Sequence, residues 1–243
     1  MNVIILAAGQ NKRLKEHLKE YYNDCHKCLI PINDVPLLHR MIHIFQAIEP
    51  ENIVIVVGAN KESIIESLHS NGFANENVKI IENSDFTKGS VLSLAQAVDY
   101  FDDEIIYIDA DMYFDSGFVH KLVESPKENC ILLDLNVKAD DNEAYCAAYK
   151  RKELVAVGKN LNGDFDLKGE WAGITKLSKA AAQRLREILL DNIDKGNTDV
   201  FHEIFTLELS KEFPIEYELV DPYRWIEIDT KEDLLLAQTI FER

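Results

Sequence analysis

Through its first half the chain alternates short β-branched apolar runs with segments whose apolar residues recur at helical spacing, the pattern of βαβ units around a mainly parallel sheet. The apolar runs predict strands over residues 3–7, 53–57, 78–82, 105–109 and 130–133. Helical patterns lie between them over 36–47, 61–70, 90–100 and 116–124. Four crossovers of this kind make a doubly wound sheet the most economical topology, with helices on both faces in a three-layer α/β/α arrangement.

Beyond this point the texture changes. Residues 144–149 and 154–157 predict a hairpin, and 170–177 another strand. Ser178 caps a helix running to 191, and 199–209 has the pattern of a second one. Residues 215–219 and 225–228 read as strands before a closing helix over 230–241, with Thr230 as N-cap and Asp233 at the capping-box position. No repeat, low-complexity tract or linker rich in Gly, Pro or Ser divides the 243 residues. The expectation is one α/β domain, a mixed and mainly parallel sheet with a small accessory β region over about 136–178.

With 47% hydrophobic and 28% charged residues, the composition is that of an ordinary soluble globular protein. Its longest apolar runs fall far short of the roughly 20 residues that span a bilayer, and the N-terminus lacks a basic n-region and cleavage site. A cytoplasmic location is therefore expected, with reduced thiols as the default for Cys25, Cys28, Cys130 and Cys146. Cys25 and Cys28 form a CxxC, but no second pair completes a zinc site. A net charge of -17 argues against nucleic acid or anionic membranes as partners. Cations are nonetheless concentrated near the N-terminus, at Lys12, Arg13, Lys15, Lys19 and Lys27, which suits a small anionic ligand.

These cations follow a strand, VIILAA, that ends in small residues. Leu6, Ala7, Ala8 and Gly9 leave the strand's last backbone groups open to close approach by a flat or phosphorylated ligand. Ligands of open α/β sheets collect at the carboxyl ends of the strands. Backbone amides beside Lys12 and Arg13 suit a triphosphate, since Arg offers a bidentate fork and the amides a fixed nest. The loop is neither a dinucleotide fingerprint nor a Walker loop.

Two carboxylate pairs carry further chemistry. In EIIYIDADMYFD, a strand runs into Asp109 and Asp111, which alternation places on one face. In RWIEIDTKEDLLLAQ, Glu227 and Asp229 alternate in the same way just before a helix. Carboxylates at a strand's carboxyl end, above a phosphate loop, can hold Mg²⁺, a hard ion that shares its oxygen ligands with phosphates. The same residues could instead serve as helix caps or as part of a solvated turn.

The segments LAAGQNKRL and HKCLIPINDVPLL resemble the signature LAAGxGxRL…PKxLxxxxGxPLL of the nucleotidyltransferases that act on sugar 1-phosphates, phosphocholine and related head groups. The chain departs from it at Asn11, where a second Gly is usual, and at His26, where Pro precedes the lysine. The resemblance implies a GT-A-like, Rossmann-like fold of the nucleotide-diphospho-sugar transferase kind. It implies catalytic roles for Lys27 and Arg13, and a nucleotide site from Leu6, Ala7, Ala8, Gly9, Lys12, Arg13, Gly89 and Ser90, with TKGSVLSLAQA facing the base. It implies a metal on Asp111 and Asp229, with Glu227 beside them, and Asp109 behind them toward the acceptor. GEWAGITKLS resembles the acceptor strand of the cytidylyltransferases that use phosphocholine or 2-aminoethylphosphonate, so Tyr145, Glu170, Trp171 and Tyr223 are candidates for an amine-bearing acceptor.

The expected reaction is Mg²⁺-dependent transfer of a nucleotidyl group, with CTP as the preferred donor, to a phosphorylated or phosphonate amino alcohol, releasing pyrophosphate. A sugar-1-phosphate nucleotidyltransferase is the nearest alternative. An inactive nucleotide-binding regulatory protein is the alternative from another class. The oligomeric state stays open, with a homodimer among the options.

Overall fold

The computed structural model describes residues 1–10, 26–136 and 144–240. Its strands, in chain order, are β1 (Asn2–Ala7), β2 (Pro31–Ile32), β3 (Val35–Pro36), β4 (Asn52–Val57), β5 (Val78–Glu82), β6 (Ile105–Asp109), β7 (Met112–Phe114), β8 (Cys130–Asp134), β9 (Cys146–Lys150), β10 (Glu153–Gly158), β11 (Leu167–Leu177), β12 (Glu216–Leu219) and β13 (Trp225–Glu227). The main sheet has the order β10-β9-β11-β6-β1-β4-β5, and β8 joins it through β11 and carries β12. Central β1 pairs in parallel with β4, from Asn2 opposite Asn52 to Ala7 opposite Val57, and with β6, which brings Leu6 opposite Asp109.

Alternation along β1 builds both faces of the core. Val3, Ile5 and Ala7 pack with Met41, Phe45, Ile64 and Phe118, from helices Leu37–Gln46, Lys61–Ser70 and Ser116–Glu124. Ile4 and Leu6 point the other way, to Leu94, Leu185, Leu189 and Phe205, from helices Val91–Gln96, Lys179–Asp194 and Glu203–Leu209. A strand buried on both sides reads as a continuous apolar run, as this one does. The result is the three-layer, mixed and mostly parallel sheet expected from the sequence.

The fourth crossover departs from a simple doubly wound sheet, because β11 inserts between β6 and β8, antiparallel to both. β11 is eleven residues long and also pairs with β9. Its register against β8 shifts between Trp171 and Thr175, around Gly173 at φ +61°, a conformation glycine adopts without steric cost. That bend lets one strand serve three neighbours.

The 90–100 prediction resolves into helix Val91–Gln96 and a 3₁₀ turn at Val98–Tyr100, and the 199–209 helix begins only at Glu203. Two ribbons have no counterpart in the sequence reading. β2 and β3 pair across Asn33 and Asp34, both at positive φ. β7 pairs antiparallel with β13, with Glu227 opposite Met112 and Trp225 opposite Phe114. This second ribbon brings the two carboxylate segments together. No helix among the described residues is long and apolar enough to cross a membrane.

Candidate functional site

At the carboxyl ends of β1 and β6 lies a cavity of about 550 Å³. Its floor is the end of β1, which is fixed on both sides. The Leu6 carbonyl accepts from Ala110 N–H at 3.1 Å, and the Ala8 carbonyl from Ala59 N–H at 3.2 Å. Leu6, Ala8 and Gly9 line the cavity, whereas Ala7 is fully buried in the core. The small residues are needed structurally as well: a Cβ on Gly58 would stand 2.8 Å from the Ala8 carbonyl oxygen. Asn11, Lys12, Arg13, Lys15, Lys19 and Cys25 lie outside the described residues.

Asp109 ends β6, and Asp111 follows two residues later, where its carbonyl accepts from Ile228 N–H at 2.9 Å. The β7–β13 ribbon thus aligns Asp111 with Glu227 and Asp229, and one oxygen from each of the three lies within 4.8 Å of the others. Asp229 is held from behind, because Asp233 Oδ2 accepts from the backbone N–H of Asp229 at 3.1 Å and of Thr230 at 2.7 Å. Thr230 Oγ1 in turn accepts from Asp233 N–H at 3.2 Å, completing the capping box read from the sequence.

Lys27 reaches into this cluster from a 3₁₀ turn, Lys27–Leu29, and its ammonium pairs with Asp111 and, at 2.8 Å, with Asp229 Oδ1. Burial alone would lower the Lys27 pKa, but Asp111, Asp229 and Glu227 outweigh it and hold the amine well above its ordinary value. The other oxygen of Asp111, Oδ1, is buried with no hydrogen-bond partner among the described residues. A buried carboxylate oxygen left unpaired beside two further carboxylates is a feature a bound cation would explain, and an all-oxygen donor set suits a hard divalent ion.

Crowding of like charge also shifts the neighbours. Burial, then the charges of Asp111, Glu203 and Glu227, push Asp109 well above the usual carboxylate range. Glu227 moves the same way through burial, then the charges of Asp111 and Asp229. Raised carboxyl pKa values mean that the folded state binds extra protons. Their stabilisation is complete below the ordinary carboxylate pKa of about 4 and is lost as pH rises through the raised values. The ligand-free protein is therefore expected to melt at a lower temperature at about pH 8 than at about pH 5.5, with millimolar Mg²⁺ narrowing the gap. Thermal unfolding across that range, with and without the ion, checks this; a melting temperature that rises with pH in the ion's absence contradicts it.

The opposite wall joins residues far apart in sequence. Gly89 N–H donates to Thr198 O at 3.0 Å, and a Cβ on Gly89 would stand 2.3 Å from Val200 O, so this helix start tolerates no side chain. Ser90 Oγ lies 3.1 Å from His202 Nδ1 and accepts from His202 N–H at 3.1 Å. Ser90 lines the cavity, and so does the half-exposed Phe201, against which Tyr145 packs edge-on at 5.6 Å. Behind them Asp109, His202 and Glu203 form a second group, with ligand atoms within 4.8 Å of one another. Burial, then Glu203, raise the Tyr145 pKa, so its hydroxyl stays protonated.

The remaining candidates fall elsewhere. Trp171 is buried and its indole N–H donates to Ile174 O at 3.3 Å. Glu170 pairs in register with Asp134 and Cys146 on β11, and Tyr223 packs against Gly117 and lies 5.9 Å from the Lys121 ammonium. None of these three lines the cavity. Sequence reasoning missed Phe201, His202 and Glu203, because only the tertiary pairing of 198–202 with 89–91 places them here.

The profile of the MobA-like NTP transferase domain matches residues 3–193. Among curated proteins, the chain is 27% identical over 236 residues to the bifunctional IPC transferase and DIPP synthase of Aquifex aeolicus, covering 97% of this chain and 50% of that protein. It is 26% identical over 237 residues to the protein of the same name from Rubrobacter xylanophilus, covering 96% and 50%. The chain thus spans about half the length of the curated relatives it matches. Among solved structures, the CTP:phosphocholine cytidylyltransferase LicC from Streptococcus pneumoniae superposes with a TM-score of 0.78 at 20% identity, over 99% of both chains. The inositol-1-phosphate CTP transferase from T. maritima superposes with a TM-score of 0.75 at 17% identity, over 99% of this chain and 96% of that one. At such identities the likeness speaks to the fold, which is that of the nucleotide-diphospho-sugar transferases.

Proposed function

The chain belongs to the MobA-like NTP transferase family, and from that premise we propose that it is a Mg²⁺-dependent cytidylyltransferase that joins CTP to a small phosphorylated acceptor and releases pyrophosphate. The observation that carries this reading is the Lys27 ammonium seated between Asp111 and Asp229 on the wall of a cavity that also exposes Gly9. A cation between carboxylates, next to open backbone, is an arrangement suited to binding and neutralising a phosphate chain.

The transfer is an in-line attack by an acceptor phosphate or phosphonate oxygen on the α-phosphorus. Such an oxygen is already anionic near neutral pH, so the site needs no strong general base, and positioning with charge neutralisation supplies the catalysis. Lys27, kept protonated by its carboxylate neighbours, stabilises charge gathering on the α-phosphate. The glycine loop holds the triphosphate through its backbone, with Lys12 and Arg13 assigned to the departing pyrophosphate. Leu6, Ala8 and Ser90 line the space assigned to the base, whereas Gly89 does not line it and is packed against Thr198 and Val200. Asp111 and Asp229, with Glu227 beside them, would hold Mg²⁺, which supplies Lewis-acid polarisation of phosphate oxygens.

For the acceptor we favour a phosphorylated or phosphonate amino alcohol, of the phosphocholine or 2-aminoethylphosphonate type. Asp109, with Glu203 behind it, makes an acidic edge of the cavity next to the aromatic rings of Phe201 and Tyr145, and a cationic end group would offset that charge. The names of the relatives support a second reading, an inositol phosphate, with a sugar 1-phosphate as the broader form of the same class. Incubation with CTP, UTP, GTP and ATP against phosphocholine, 2-aminoethylphosphonate, inositol 1-phosphate and glucose 1-phosphate separates these. Product formation with CTP and an amine-bearing acceptor is expected. Product only with a polyol phosphate moves the enzyme to the second reading, and nucleotide binding with no product under any combination makes it a regulatory protein.

A further inference from the structure

His26 stands where the related signature carries a proline, and the structure gives it specific work. The ring is 1% exposed and sits between the two halves of the motif. As the N-cap of the 3₁₀ turn Lys27–Leu29, its Nδ1 accepts from Cys28 N–H at 3.3 Å, and the Cys28 thiol lies 3.1 Å from the same atom. An accepting Nδ1 assigns the proton to Nε2, which donates to the Gly9 carbonyl at 3.0 Å. A proline could stiffen the approach to the lysine, but it could make neither bond.

We propose that His26 is a positioning residue that clamps the glycine loop to the turn carrying Lys27, so that one neutral imidazole sets the spacing between the backbone that receives the triphosphate and the ammonium that neutralises it. The clamp rests on the reading of the loop as the triphosphate site. It also accounts for a motif that does without proline: the two segments are held by a side chain across seventeen residues rather than by chain stiffness. The ring touches no reacting group in this role and acts through Gly9 and Lys27.

Two variants separate the two halves of the clamp. His26→Ala loses both bonds. His26→Asn keeps an N-cap acceptor for Cys28 N–H, since Asn is among the best N-cap residues, but its amide is too short to reach Gly9. His26→Ala is expected to lower the melting temperature, and His26→Asn to restore most of it. In both, hydrogen exchange of the peptide spanning the first ten residues of the ligand-free protein should accelerate, and the KM for CTP should rise about three- to tenfold, the worth of one buried hydrogen bond, with kcat changing less. Unchanged loop exchange in His26→Asn overturns the clamp whatever the nucleotide result. A fall in kcat with KM unchanged overturns it as well, since it would place His26 at the reacting atoms. Failure of the wild-type protein to bind any nucleoside triphosphate would defeat the functional reading instead, and loop exchange would still decide the clamp.

Discussion

Replacing Asp111 by alanine is expected to cut pyrophosphate release by on the order of 10³-fold or more, because it removes the carboxylate best placed to hold a divalent ion against the transferring phosphate. Asp111 is the member of the cluster that combines a bond to Lys27 with a buried oxygen that has no hydrogen-bond partner among the described residues. The fold should tolerate the change. Lys27 keeps Asp229 as its partner at 2.8 Å, and the Asp111 carbonyl that receives Ile228 N–H belongs to the backbone. Removing one of several crowded carboxylates also relieves Asp109 and Glu227, which Asp111 pushes toward protonation. A melting temperature within a few degrees of wild type, with turnover lost, is the expected pair of results. Retained turnover would remove Asp111 from the metal site, and unfolding would make it a structural residue.

Lys27→Met should reveal the second large effect, and it acts on both activity and stability. Turnover is expected to fall by about 10²- to 10³-fold, as for loss of one preorganised charge stabiliser at a developing anion. In the ligand-free protein, Asp111, Asp229 and Glu227 would then face one another without the ammonium between them. Stripping one partner from a fully buried pair costs about 3–5 kcal/mol. Here the side chains of Asp111 and Asp229 keep 15% and 18% of their surface and can take up protons, so a loss on the order of 2 kcal/mol is expected. The deficit should shrink as pH falls and the carboxyls protonate, and Mg²⁺ should restore stability more strongly in Lys27→Met than in wild type. Thermal unfolding with and without the ion reads both. A variant whose melting temperature matches wild type at neutral pH and ignores Mg²⁺ would show that Lys27 does not balance the carboxylates.

These expectations hang on a site of which part could be read from the chain and part could not. β1 and its neighbours were legible because buried parallel strands are continuous β-branched runs, and Asn2–Ala7, Asn52–Val57 and Ile105–Asp109 are such runs. Asp109 with Asp111, and Glu227 with Asp229, were legible as pairs from their spacing of two, but β6 ends at Asp109 and β13 at Glu227, so each pair straddles a strand end. Asp109 groups with His202 and Glu203 rather than with Asp111. What brings the pairs together was not legible. β7 and β13 are three residues each, too short for a period of two to register, and each finds its place only in the other.

The wall opposite was hidden for a similar reason. Ser90 looked like a helix start that faces a ligand, yet its hydroxyl is engaged by His202, a residue 112 positions away. Trp171 read as a candidate for an aromatic cage, but β11 is served by neighbours on both sides, and the ring turns into the core. His26 stood out only as a departure from the motif's proline. Its bonds to Gly9 and Cys28 show how a different residue can hold the same two segments.

The most direct test is acceptor-dependent pyrophosphate release from CTP by the wild-type protein beside Asp111→Ala, in Mg²⁺ and again in excess chelator. Release that needs CTP, acceptor and Mg²⁺ together, and that vanishes in a still-folded Asp111→Ala, is the expected result. Release that persists without the ion or in the variant would contradict the assignment of this carboxylate cluster as the centre of nucleotidyl transfer.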